Sequence, residues 1–364
     1  MNRTIVIATD TWEPQINGVV RTLKRTVDTL CSWGHHVEVI HPYLFRPIRI
    51  PGFNDLELTH GLNRPRINRM LRGFEPGAIH VATEGPLGLA VRRYCTHNRV
   101  PFTTWHHTDF PATLPRHLPI SQRIIYGYMR WFHRHSSTIM VNTPRMRDKL
   151  LAHGFTQPMR VWSGGVDTDL FRPRPKTPRS RPVALYVGRI VKEKNLEKFL
   201  ECAGDYDKVL VGDGAARADL ERRYPQSRFV GVLSGEPLAR AYADADVFVF
   251  PSITDTFGLV LIEALACGVP VAAYPVQGPA DILQGDGVGC LSSNLGAAID
   301  RALADHDPQR CRDLALQYSW QNSARQFVSN LAYVQPADSL DEAEPHILPA
   351  FGAEKQQAGK RRAA

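Results

Sequence analysis

Residues Phe248–Val271 read FVFPSITDTFGLVLIEALACGVPV. The aromatic and β-branched run Val247–Phe250 stops at Pro251, and a short polar loop follows. From Gly258 onward the spacing predicts a helix that ends near Gly268. A second β-branched run, Val269–Ala273, comes straight after. Strand, helix and strand joined this tightly point to a parallel sheet with helices packed on its faces.

The alternation extends in both directions. Val183–Val187, Lys208–Val211 and Arg228–Val230 read as strands with helices between them. In the first half Thr4–Thr9, Val37–Ile40, Ala78–Val81, Phe102–Trp105 and Thr138–Asn142 do the same, and Val20–Trp33 reads as a helix stopped by Gly34. Between the two series lies RPRPKTPRSRP, residues 172–182, which is Pro-rich, basic and without apolar periodicity. It reads as an interdomain linker. The fold class is therefore α/β with two Rossmann-like domains, and a length of 364 residues suits two domains. The first domain is expected over 1–170 and the second over 171–317. A C-terminal helix is expected over 318–335, able to return to the first domain, and a disordered polar tail over 336–364. Parallel sheets bind ligands outside the carboxyl ends of their strands, so the active site is expected in the cleft between the domains.

Composition narrows the classes further. Apolar residues make up 43% of the chain, enough for a substantial interior, and no apolar run has the length of a membrane span. The N-terminus lacks the apolar core of a secretory signal, so a cytoplasmic protein is expected. The six cysteines are scattered, with no CxxC pair, which suggests neither a zinc site nor a disulfide framework. Residues 1–170 hold 21 Lys and Arg against 12 Asp and Glu, a net of +9, whereas the rest of the chain is close to neutral. That asymmetry fits an anionic partner surface, or simply a solvated face. No nucleic-acid motif accompanies it, so nucleic acid is not expected as a partner.

Several strand ends carry chemistry. Asn17-Gly18-Val19-Val20-Arg21-Thr22 follows the first strand and opens a helix, where backbone N–H groups can meet a phosphate or a sugar. His106 and His107 follow another strand, and at most one of them is expected to face the cleft. Arg189, just after Gly188, and Lys194 near a helix start form a cationic pair suited to a diphosphate. In the quoted stretch Asp255 lies in the loop and Glu263 on the helix, expected two turns in. Each carboxylate can accept from a pair of hydroxyls.

The strings GRIVKEKN, FVFPSITDTFGLVLIEALACGVPV and GVDTDLFRP resemble glycosyltransferase family 4, the retaining enzymes of GT-B fold, in which two Rossmann-like domains face each other across a cleft. The resemblance implies that Glu263 holds the ribose hydroxyls of a nucleotide. It implies that Asp255 faces the donor sugar while Phe257, Gly258 and Leu259 offer backbone N–H groups. Arg189 and Lys194 are implied as the diphosphate cations, Gly18 as the closing loop, His107 as the histidine near the reacting sugar, and Val232 and Leu233 as neighbours of the base. His107, Arg189, Lys194 and Asp255 are thereby the candidate catalytic residues. No cofactor and no metal are implied, only a UDP-sugar or GDP-sugar substrate. Two departures stand out: Asp255 replaces the family's Glu, and Gly164 stands where relatives carry Arg.

ATEGPLGLAVR, WHHTDFPATLPR and YMRWFHRHSSTIMVNTPRMR resemble a branch that includes GDP-mannose-dependent mannosyltransferases and diacylglycerol glycosyltransferases. The segment Pro111–His135 is basic and aromatic. It reads as a membrane-surface element or as a domain helix with buried aromatics. With the basic first domain, this gives the expectation of a peripheral enzyme on the inner face of the cytoplasmic membrane that transfers a hexosyl unit to a lipid, diacylglycerol. The alternatives are a soluble mannosyltransferase making an oligosaccharide or polysaccharide precursor, a nonhydrolysing epimerase, and an inactive nucleotide-sugar binder.

Overall fold

In the computed structural model the described residues are 4–334, apart from 16, 46–47, 51–52, 59–62, 114–119 and 254–256. The expected tail over 336–364 and part of the Pro111–His135 segment lie outside them. The first lobe contains, in chain order, β1 (Thr4–Ala8), α1 (Gly18–Ser32), β2 (Val37–Ile40), β3 (Ile48–Ile50), β4 (Phe53–Leu58), α2 (Arg64–Phe74) and β5 (Pro76–Val81). It continues with α3 (Pro86–Asn98), β6 (Thr103–His106), α4 (Phe110–Thr113), α5 (Gln122–His133), β7 (Thr138–Val141), α6 (Pro144–Ala152) and β8 (Met159–Val161). The second lobe has β9 (Val183–Val187), α7 (Leu196–Leu200), β10 (Asp207–Val211), α8 (Arg217–Arg223), β11 (Arg228–Gly231), α9 (Gly235–Asp244) and β12 (Val247–Phe250). After these come α10 (Leu259–Ala266), β13 (Val271–Ala273), α11 (Gln277–Ile282), β14 (Gly289–Leu291), α12 (Leu295–Ala304), α13 (Pro308–Leu316) and α14 (Trp320–Asn330).

Each lobe is built on a parallel six-stranded sheet, ordered β2-β1-β5-β6-β7-β8 in the first and β11-β10-β9-β12-β13-β14 in the second. Strands buried on both faces explain the unbroken apolar runs. In β9, Leu185 and Val187 pack on one side with Phe248 and Phe250 of β12, while Ala184 and Tyr186 pack on the other with Val247 and Val249. The order reverses between β1 and β5 in the first lobe and between β9 and β12 in the second. Those two switch points are where ligands of such sheets bind.

Four strands were not read from the sequence: edge strands β8 and β14 and the antiparallel pair β3–β4. β8 and β14 have three residues each and no fully buried position, so neither leaves an apolar run to detect. The Pro-rich stretch after residue 172 is pinned along the second lobe. Arg174 pairs with Glu236, Lys176 Nζ lies 2.7 Å from Asp246 Oδ1, and Thr177 N donates to Asp244 Oδ1 at 3.1 Å. From α13, the Arg312 guanidinium donates to the carbonyls of Thr168, Phe171 and Ala266, tying the crossing chain to the end of α10.

α14 packs on the first lobe. Ala324 and Phe327 join Ile5, Ile7, Leu23 and Trp162 in one apolar cluster. Trp162 Nε1 donates to Ser323 Oγ at 3.2 Å, Ser323 Oγ donates to Ser163 O at 2.7 Å, and Val334 N donates to Gly77 O at 2.8 Å.

Candidate active site

The second-lobe side of the site starts at the β9 and β10 ends. Gly212 has φ +138°, and a Cβ there would stand 1.9 Å from Gly188 O, so the two loops approach at a distance only glycine permits. That approach brings the turn after β10 against Gly188 and leaves Arg189 exposed at the mouth of β9. Tyr186 Oη donates to Arg189 O at 2.9 Å and fixes the turn. Lys194 closes a 3-10 turn over Lys192–Lys194. The next residue, Asn195, donates through Nδ2 to Pro251 O at 3.2 Å, linking the cationic loop to the loop that leaves β12. Of the base neighbours expected from sequence, Val232 is exposed and Leu233 packs against the second-lobe core. Asp255 lies outside the described residues.

Gly258, at φ +93°, turns the chain into α10 without a side-chain cap. The first N–H groups of that helix have no intrahelical acceptor and suit phosphate or sugar oxygens. Glu263 stands just over one turn into α10, which begins at Leu259, rather than the two turns expected. Its side chain is 1% exposed. Tyr242 Oη donates to Glu263 Oε2 at 2.8 Å, and Arg21 of α1 forms an ion pair with Oε1. Burial pulls Arg21 down, and Glu263's charge outweighs it, leaving Arg21 above its ordinary value. Burial first, and then the carboxylate, push the Tyr242 phenol well up. Glu263, the residue expected to hold ribose, is therefore already engaged by the opposite lobe.

The lobes also meet nearby. A Cβ on Gly18 would be 4.0 Å from Leu259 Cδ1. Asn17 caps α1, its Oδ1 accepting from Val20 N at 2.9 Å, which aims Arg21 across the gap. A second cross-lobe ion pair joins Arg145 Nε to Asp281 Oδ1 at 2.8 Å. Gly164 has a local explanation: a Cβ there would lie 2.4 Å from Leu259 Cδ2 and 3.0 Å from Phe257 Cε1. The side chains of Phe257 and Leu259, where the chain turns into α10, occupy the room an Arg would need.

His107 follows β6. Its Nδ1 is 2.7 Å from Thr108 Oγ1, and its ring is tilted against Trp105 at 4.6 Å between centroids. Trp105 Nε1 in turn donates to Asn142 Oδ1 at 2.8 Å. Burial pushes the His107 imidazole down to about 4, against the opposing charge of Glu84, so the ring is neutral near pH 7. A neutral ring can donate to one hydroxyl or accept from another. It cannot serve as a fixed cation.

Thus the structure joins Gly18 and Arg21 to Leu259 and Glu263, and Asn195 to the loop after β12. Sequence reasoning singled out neither Tyr242 nor the pairing of Arg21 with Glu263. Arg21 was visible only as part of the helix-opening string, four residues after its cap.

Residues 167–315 match the family described as Glycosyl transferases group 1, and residues 16–170 match Glycosyltransferase Family 4. The chain is 31% identical over 337 residues to a GDP-mannose-dependent alpha-mannosyltransferase of Mycolicibacterium smegmatis, covering 83% of this chain and 89% of that protein. It is 25% identical over 319 residues to an alpha-monoglucosyldiacylglycerol synthase of Acholeplasma laidlawii, covering 73% and 79%. Among solved structures, sucrose-phosphate synthase from Thermosynechococcus elongatus superposes with a TM-score of 0.70 at 20% identity, covering 90% of this chain and 98% of that one. The Anabaena protein HepE in complex with UDP and glucose superposes at 0.63 and 17% identity, with the same coverage. The two switch points, the loop-to-helix turn at Gly258 and these likenesses converge: the chain is a glycosyltransferase of family 4, with the GT-B fold.

Proposed function

We propose that this glycosyltransferase moves a hexosyl unit, with retention of anomeric configuration, from a UDP- or GDP-sugar to diacylglycerol at a membrane surface. The observation that carries the lipid acceptor is on α5. Its inner face, Ile125, Tyr126, Met129 and Phe132, is core, while Ile124, Tyr128 and Trp131 are 66%, 38% and 45% exposed. Those three recur at i, i+4 and i+7, so they form an outward apolar stripe. Arg123, Arg130 and Arg134 flank it in sequence. Apolar and aromatic side chains set among cations suit an anionic bilayer interface. The helix is a domain helix with a buried face, and its exposed stripe supports the membrane-surface reading. Among the described residues no helix is long and apolar enough to cross a membrane.

In this reading Arg189 and Lys194 hold the diphosphate and stabilise it as it leaves. The acceptor hydroxyl attacks the face the diphosphate vacates, and the departing phosphate takes its proton. Charge develops at the diphosphate and the sugar ring together, so prepositioned cations lower the barrier without a metal ion at the phosphates. Phe257, Gly258 and Leu259 offer backbone N–H groups, Asp255 faces the sugar hydroxyls, and His107 lies beside the reacting sugar. Glu263 takes the ribose diol once Arg21 lets go of it. Val232 and Leu233 flank the base.

A second reading is supported by the identity to the GDP-mannose-dependent alpha-mannosyltransferases: GDP-mannose as donor and a soluble saccharide as acceptor. One experiment separates the two. The protein is incubated with diacylglycerol in anionic vesicles, or with soluble saccharides, each with UDP-glucose and with GDP-mannose. Glycolipid formation is expected. Transfer to a soluble saccharide with no glycolipid from either donor overturns the lipid acceptor.

A further inference from the structure

Behind the His107 loop, three buried side chains from separate elements converge. Glu84 lies between β5 and α3, His106 ends β6 and His133 ends α5. His106 Nδ1 and His133 Nε2 lie 3.5 and 3.4 Å from Glu84 Oε1, and the three ligand atoms are all within 4.8 Å of one another. Those contacts are long for hydrogen bonds, and among the described residues no closer partner reaches either Glu84 oxygen, His106 Nδ1 or His133 Nε2, all of them buried. A carboxylate withdrawn from water with no directed donor is strongly unfavourable unless a cation touches it.

The surroundings hold these groups in place from outside. His133 Nδ1 is 2.8 Å from Thr104 Oγ1, a contact of the kind that fixes the far nitrogen of a ligating imidazole. In the tautomer whose Nδ1–H donates to Thr104, Nε2 offers a lone pair on the Glu84 side, as a metal ligand does; in the other, Thr104 donates and Nε2–H faces Glu84. The Glu84 carbonyl accepts from Tyr128 Oη at 2.5 Å. The start of α3 is tied down as well, with Leu87 N donating to Asp10 Oδ1 at 2.8 Å.

We propose that Glu84, His106 and His133 bind a divalent transition-metal ion, zinc, through Glu84 Oε1, His106 Nδ1 and His133 Nε2. Two imidazoles and one carboxylate are a zinc donor set, and bonds of about 2.0–2.1 Å in a tetrahedron separate neighbouring donors by about 3.3–3.4 Å. Two of the three donor separations, 3.4 and 3.5 Å, match that edge, and the third is within 4.8 Å. The site is distinct from the diphosphate cations: it lies in the first lobe, whereas Arg189 and Lys194 belong to the second. Its effect is to lock the end of β6, from which His107 emerges, to α5 and to the turn before α3. The ion is thus a positioning group for His107 and takes no part in transfer.

The test measures metal and needs no turnover. Full-length protein is purified without chelator and its metals are measured by inductively coupled plasma mass spectrometry; about one zinc per chain is expected. Chelation should lower Tm, and added zinc, but not magnesium, should restore it. Cobalt loaded into the stripped wild-type protein should give the intense visible absorption of a four-coordinate site. Glu84→Gln and His133→Gln should lose the metal, while His97→Ala, at an exposed position, keeps it. Should the two site variants fail to fold, the cobalt spectrum of the wild-type chain decides. Folded wild-type protein that takes up neither zinc nor cobalt overturns the proposal, leaving a hydrogen-bonded His–Glu–His cluster. Retention of metal by folded Glu84→Gln also overturns it.

Discussion

Replacing Arg21 by Met tests whether the cross-lobe ion pair guards the nucleotide site. The change keeps a long apolar stem on α1 and removes only the guanidinium. Glu263 stays at 1% exposure with Tyr242 as its one remaining partner among the described residues, whereas Arg21 is 37% exposed. Breaking a fully buried pair costs about 3–5 kcal/mol, and exposed pairs contribute about 0–1 kcal/mol. With one partner a third exposed and Tyr242 still bound, the loss should be about 1–3 kcal/mol. That corresponds to a fall in Tm of about 2–10 °C for a chain of this class. Nucleotide binding should move the other way. If the ribose diol takes Glu263, it must first displace Arg21, so the energy of the pair opposes binding. Removing the guanidinium should then tighten UDP or GDP by about 5- to 150-fold. Thermal unfolding with and without nucleotide, together with calorimetric titration, reads both effects. A lower Tm with unchanged or weaker nucleotide binding would refute the reasoning and leave Glu263 as a structural carboxylate.

Gly164→Ala places a methyl group 2.4 Å from Leu259 Cδ2 and should cost about 1–3 kcal/mol while weakening nucleotide binding; thermal shift with titration checks it, and an unchanged Kd counts against it. His80 is buried between Trp162 and Phe327, and burial pushes its imidazole down to about 3 from an ordinary 6.5. Its contribution is complete above pH 6.5 and is lost as pH falls from there toward 3, because only the unfolded chain takes up the proton. By pH 5 the loss should be about 2 kcal/mol. Denaturant midpoints at pH 7.5, 6 and 5 should therefore fall less steeply in His80→Gln than in the wild type, and parallel slopes would rule this account out. Ile124→Ser with Trp131→Ser should change stability by no more than about 1 kcal/mol, yet weaken sedimentation with anionic vesicles roughly 30-fold, from about 2 kcal/mol of lost apolar contact. Unchanged sedimentation removes the role given to α5.

The legible parts of the molecule were those whose cause is local. β12, α10 and β13 follow directly from an apolar run, a Gly with positive φ and a second apolar run, and β9 and β2 were read to the residue. The turn after β9 was legible as a turn with cations beside it because its Gly, Arg189 and Lys194 are close in sequence; its phosphate role is a proposal. What sequence could not carry was pairing across the cleft. Nothing near Arg21 indicates that Glu263 is its partner, since that contact depends on how two lobes dock. Gly164 is the same case in reverse. As sequence it was a missing Arg; as structure it is the space filled by Phe257 and Leu259, side chains nearly a hundred residues later. Edge strands β8 and β14 escaped for a different reason: a strand paired on one side, with no fully buried residue, carries no periodic signal to read.

Leu259 connects these observations. It is the first residue of α10, and its two methyl groups lie against Gly18 at the start of α1 and against Gly164 on the crossing chain. The backbone of the same residue belongs to the turn proposed to receive the donor. Glycine at 18 and 164 means that Leu259 meets main chain rather than side chain in both directions, so a shift of α10 by a fraction of an ångström bears directly on the backbone of the first lobe. One turn further along α10, Glu263 makes the ion pair to the same helix α1. The helix proposed to offer the donor its N–H groups is therefore also the one that approaches the opposite lobe at two heights. A ligand that draws Leu259 inward and takes Glu263 from Arg21 alters both contacts at once. Donor binding and lobe closure then share one rigid element, with no separate relay between them.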